Sequence, residues 1–78
     1  MTAEEFFVPG ELYRWLGDSE IYLVLALDLA EGKTDSRKFW DSHIAVQFLA
    51  CDGYVFWRTS SRRAEVLDGK CSNFVKVT

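Results

Sequence analysis

The side chains able to do chemistry in this 78-residue chain are few and scattered. Nucleophilic catalysis needs a thiol or hydroxyl within reach of a base. The single histidine, His43, stands eight residues before Cys51, with no turn between them to bring the two together. One histidine cannot form a metal-binding pair, and Cys51 and Cys71 lack metal-ligand spacing. Acid–base work needs converging carboxylates, whereas Glu4, Glu5, Asp28, Glu31, Asp35 and Asp41 all stand near turn signals, where acids are normally solvated. The five glycines are spread as turn punctuation and form no phosphate-cradling loop. The expectation is a non-enzymatic protein without metal or cofactor.

The basic residues are more ordered. Lys33, Arg37 and Lys38 fall in one polar stretch, and Arg58, Arg62 and Arg63 in another, making six of the nine basic side chains. If these stretches are the second-to-third and fourth-to-fifth connections of an up-and-down sheet, they emerge at the same end. Thr59, Ser60 and Ser61 add hydroxyls there, and Phe39 and Trp40 add rings. Arginine forks and a stacking ring suit phosphate or a nucleobase. The same residues also fit an acidic protein partner, or simply a solvated loop that keeps the chain soluble. Net charge is −3, so a nucleic-acid role would have to rest on this local patch.

The elements that position these groups are read from alternation. Thr2 and Glu5 have capping-box spacing and predict one helical turn through Phe6 and Phe7, ended by Pro9-Gly10. Residues 11–16 alternate and carry two aromatics, as a strand does. Gly17-Asp18 marks a turn. In 20–29, Leu and Ala favour helix, but Ile21, Leu23, Leu25, Leu27 and Leu29 keep strict period two, which predicts a second strand. A polar loop spans 31–38. A third strand sets Ile44, Val46 and Phe48 against Ala45, Gln47 and Leu49, and Cys51-Asp52-Gly53 predicts a tight hairpin into a fourth strand over 54–59. Residues 60–72 predict a loop with a helical turn, and 73–78 a short last strand.

The aromatics Tyr13, Trp15, Tyr22, Tyr54 and Phe56 fall on strand faces opposite the leucine-rich one. A small barrel has one inward face, so some of these rings are expected to be exposed as a peptide groove or subunit interface, with Phe6 and Phe7 covering others. Candidate binding residues are therefore Arg37, Lys38, Trp40, Arg58, Arg62, Arg63, Tyr13, Trp15 and Tyr54.

The entry segment Phe7-Val8-Pro9-Gly10-Glu11-Leu12-Tyr13, the Asp52-Gly53 hairpin before Tyr54-Val55-Phe56-Trp57, and the Ser60-Ser61 step ahead of the last strand resemble the Src-homology-3-like small barrels. The resemblance covers roughly Val8 to Thr78. It implies an all-β, five-stranded half-open barrel whose ligand surface borders the basic end. Small barrel proteins encoded by bacteriophages look similar, which implies a viral accessory, virion or host-interaction role. Superfold membership does not by itself fix function.

Length and composition agree with one small domain: 49% of residues are hydrophobic and 15% aromatic, enough for a core without staples. Two cysteines are too few for a disulfide scaffold and read as reduced thiols, a 51–71 bridge being the oxidised alternative. An acidic start without an apolar signal core, and no apolar run long enough to span a bilayer, predict a soluble cytoplasmic protein (host cytoplasm if viral) away from membranes. The expected role is binding a protein partner or a second copy of itself, with nucleotide or nucleic-acid binding as the alternative.

Overall fold

The computed structural model describes residues 1–28 and 43–77. A short helix α1 (Ala3–Phe6) precedes strands β1 (Leu12–Trp15), β2 (Ile21–Asp28), β3 (His43–Ala50), β4 (Val55–Ser61), β5 (Lys70–Cys71) and β6 (Phe74–Lys76). They pair in one antiparallel sheet of order β4-β3-β2-β1-β6-β5, so the all-β expectation holds. The helical turn at the N-terminus is present, with the Thr2 amide donating to Glu5 Oε1 at 3.1 Å. Strand β2 is a strand and not a helix from Ile21 to Asp28, as its alternation predicts.

Two details differ from the sequence reading. There are six strands among the described residues where five were expected, and no helical turn precedes the last one. Two tight turns take its place. Asp68 and Gly69 have φ of 54° and 74°, with the Leu67 and Lys70 amides each donating to the other's carbonyl at 3.0 and 2.9 Å. Ser72 and Asn73 follow at φ of 50° and 67°, joining β5 to β6. Consecutive positive φ values match the right-handed twist of a two-residue hairpin and cannot continue a helix. The Cys51-Asp52-Gly53 hairpin forms as expected, Gly53 taking φ +90° and donating to the Ala50 carbonyl at 3.0 Å.

The sheet does not close into a barrel: among the described residues, β4 pairs only with β3, and β5 only with β6. Its ends nevertheless approach, because the Ser60 hydroxyl on β4 lies 2.7 Å from that of Ser72 in the β5–β6 turn. The N-terminal segment covers the same end. The Ala3 amide donates to the Ala64 carbonyl at 2.9 Å and the Val66 amide to the Met1 carbonyl at 3.2 Å.

The aromatic set, not the leucine set, faces inward. Tyr13, Tyr22, Val24, Ile44, Val46, Phe48 and Phe74 are buried with Phe6 and Phe7, while Leu12 and Leu25 are exposed. The strict period of β2 breaks at a bulge between Val24 and Ala26, which turns Leu27 back onto the core. Parallel rings of Phe48 and Phe74, 4.8 Å apart, form the centre, with Phe7 edge-on to both. Ring pairs of this kind add about 0.5–1.5 kcal/mol each beyond the area they bury. The outward leucines line up across four strands, because Leu12 pairs with Leu23, Leu23 with Leu49, and Leu49 with Val55.

Candidate functional site: an aromatic cleft at the open seam

Where β4 and the β1–β6 pair face each other without a ladder, the inward face stays accessible as a cleft of about 280 Å³. Its walls are Trp15, Phe74 and Tyr22 on one side and Tyr54, Phe56 and Arg58 on the other, with Ala50 and Asp52 at the hairpin end. Alternation on β4 explains the second wall: Tyr54, Phe56 and Arg58 share the face that Phe56 lays against Phe48 at 5.6 Å. Tyr54 stacks on Phe56 at 5.7 Å, and Tyr22 meets Phe56 edge-on at 5.6 Å.

Trp15 owes its position to Gly17. A Cβ at Gly17 would sit 2.6 Å from Trp15 Cζ2, closer than real Cβ contacts allow, so only glycine lets the indole lie over this turn. The indole is also near-parallel to Phe74, and the Arg58 guanidinium carbon lies 4.6 Å from the indole centroid. This cation–π contact crosses the mouth of the cleft.

The hairpin end is polar. Asp52 Oδ1 accepts from the Tyr54 amide at 3.0 Å. Tyr22 donates its hydroxyl to Asp18 Oδ2, and this bond to a carboxylate holds the phenol well above its ordinary value, at about 12. A second groove of about 280 Å³ continues past Tyr22, Ala50 and Asp52 to Glu20 and Cys51.

Of the residues expected to bind, Trp15, Tyr54 and Arg58 meet in this cleft. Tyr13 does not: it is fully buried, its hydroxyl donating to the Phe6 carbonyl at 2.6 Å and accepting from the Val8 amide at 2.8 Å. Tyr13 is therefore a core pin between α1 and β1. Arg62 turns away from Arg58 to Glu4, its Nε 3.5 Å from the carboxylate, and Arg63 is exposed on the connection after β4. Arg37, Lys38 and Trp40, with Lys33 and Phe39, lie outside the described residues.

The cleft also uses Tyr22, Phe56, Phe74 and Asp52, which were not among the candidates. Phe56 was readable from its place between Tyr54 and Arg58. Phe74 was not, because it reaches the cleft only through the pairing of β6 with β1.

His43 opens β3 and Cys51 follows its last residue, so the strand holds them roughly 25 Å apart at 3.3 Å per residue. Both cysteines are free thiols; Cys51 is exposed, and burial pushes the Cys71 thiol up. Among the described residues no three His, Cys, Asp or Glu side chains gather as a metal site, and no helix is long and apolar enough to cross a membrane. Comparison of the chain with protein-family models, with curated proteins and with solved structures finds no match in any of the three.

Proposed function

We propose that this protein is a non-enzymatic interaction module of the Src-homology-3-like small-barrel kind, which binds a short segment of a partner protein in the seam cleft. The observation that carries the reading is the composition of the cleft. Five rings, Trp15, Tyr22, Tyr54, Phe56 and Phe74, converge on an accessible groove with one cation, Arg58, and one acid, Asp52. Peptide-binding surfaces favour aromatic anchors of this sort, with few charges setting orientation. The meander of β1 to β4, with the last strand returning to β1, supports the small-barrel assignment.

Charge favours a peptide over a nucleic acid as the occupant. Binding a phosphate backbone draws on several cations along a track, whereas the cleft carries one cation, Arg58, beside one acid, Asp52, and Arg62 is engaged by Glu4. The partner segment is accordingly apolar at its centre, with an acidic group for Arg58.

A displayed random-peptide library panned against the immobilised domain tests this. Peptides with an apolar or aromatic centre should be enriched on the wild-type protein and lost on Trp15→Ala and Phe56→Ala. Equal enrichment on the folded variants, or binding of a single-stranded oligonucleotide in place of any peptide, would refute the reading.

A further inference from the structure

Among the described residues β4 pairs only with β3, so its other edge borders the seam. The Ala50 amide donates to the Tyr54 carbonyl at 2.8 Å, so Tyr54, Phe56 and Arg58 direct their backbone groups toward β3. By the alternation of an antiparallel ladder, Val55 and Trp57 direct theirs into the seam. The far end of the seam is held shut, by Arg58 on Trp15 and by the Ser60 hydroxyl 2.7 Å from that of Ser72. The open part of the edge is therefore Val55 to Trp57, the level at which Tyr54 and Phe56 line the cleft. No proline, lysine or bulge, which commonly guard a free edge, interrupts it.

Two sets of groups thus face one occupant. The rings and Arg58 offer side-chain contacts, and Val55 and Trp57 offer backbone donors and acceptors beside them. An extended segment meets both at once, because its side chains alternate between faces while its backbone pairs in the plane of the sheet. Every ladder of this sheet is antiparallel, and an antiparallel partner lets Val55 and Trp57 each exchange both bonds with a single residue. Read from its N-terminus, such a segment sets successive residues opposite Arg58, Trp57, Phe56, Val55 and Tyr54. Its first, third and fifth side chains enter the cleft, and its second and fourth residues take the backbone bonds. An acid at the first place answers Arg58, whose guanidinium donates from its rim while its face lies on Trp15. Apolar side chains at the third and fifth places meet the rings.

We infer that the partner segment adds to β4 as an antiparallel strand with the pattern acid-x-apolar-x-apolar. The inference rests on the peptide-cleft reading and adds to it the backbone mode, the chain direction and the register. A segment held by its side chains alone would fill the same cleft without using the Val55 and Trp57 backbone.

Backbone methylation of the peptide enriched by panning tests the mode, with the full chain as receptor. The enriched sequences should align on acid-x-apolar-x-apolar. N-methylation of the second or the fourth residue removes a donor to the edge and should raise the dissociation constant by about tenfold or more. N-methylation of the third or the fifth, whose amides point away from β4, should change it little. Hydrogen exchange on the protein gives the matching readout: the Val55 and Trp57 amides should exchange fast in the free chain at every concentration and become protected by the peptide. A peptide that binds with no alternation in its methylation scan, or that aligns in the reverse order, overturns the inference and leaves capture in the cleft standing. So does protection of the two amides in the free chain, which would mean that a second copy or another segment already holds the edge. Failure of panning to yield any cleft-dependent peptide overturns both readings.

Discussion

The Arg58 guanidinium carbon stands 4.6 Å from the centroid of the Trp15 indole, tying an edge strand of the sheet to the end of β1 across a gap that no ladder among the described residues spans. Cation–π contacts at exposed sites are worth about 0.5–1 kcal/mol. Arg58→Ala should lower the unfolding free energy in urea by about that amount, and Arg58→Lys should recover part of it. An unchanged midpoint in Arg58→Ala would mean that the contact carries no stability.

Gly17 sets the position of the same ring. Gly17→Ala puts a methyl group into the indole and should cost about 1–3 kcal/mol, the usual range for overpacking. The Arg58 side-chain protons, shielded by the indole in the wild type, should shift toward random-coil positions in the variant's NMR spectrum. A variant with wild-type stability and shielding would show that the ring has another way to lie.

Tyr13 is the buried pin of the fold. Tyr13→Phe removes the partner of the Val8 amide and of the Phe6 carbonyl while leaving the ring in place, and should cost about 1–3 kcal/mol. Calorimetric melting of the two proteins measures the difference. A loss much smaller than this would place water in the vacated hydrogen-bonding position.

The bond to Asp18 makes Tyr22 a marker of alkaline unfolding. Its folded value, about 12, exceeds the ordinary phenol value of 10.0, so the folded state holds this proton more tightly than the unfolded chain does. The resulting stabilisation is complete below pH 10 and is lost as pH rises from 10 through 12. Asp18→Asn should bring the phenol titration, followed by its ultraviolet absorbance, back toward the ordinary value and flatten this part of the stability profile.

The two thiols should react at very different rates with an aromatic disulfide reagent. Cys51 is exposed on the hairpin and should label within the mixing phase, while Cys71, 2% exposed with its thiol pushed up by burial, should label only as the protein unfolds.

Much of the sheet was legible because alternation and turn chemistry are local. Strands β1 to β4 and β6, the capping turn and the Asp52-Gly53 hairpin followed from residue order alone; β5, inside the expected loop over 60–72, did not. Asp68-Gly69 was equally local and carried the same Asp-Gly signal, but the surrounding polar residues resembled a helical turn. Facing was harder. Tyr22 and Leu23 are both apolar enough for a core, and only the convergence of Phe7, Phe48 and Phe74 decides that rings fill the interior and leucines cover the outside. The cleft was half legible for the same reason. Trp15, Tyr54 and Arg58 could be named from type and face, whereas Phe74 and the Gly17–Trp15 contact depend on packing between segments distant in sequence or on the path of a turn.

The central claim is that the seam cleft is where a partner segment binds. Titrating a peptide enriched by panning into the ¹⁵N-labelled protein tests it most directly. The largest shifts should fall on the Trp15 indole N–H, the Arg58 Nε–H and the amides of Ala50 through Arg58. Saturable shifts confined instead to α1 and the connection after β4, with the Trp15 and Arg58 signals unmoved, would contradict it.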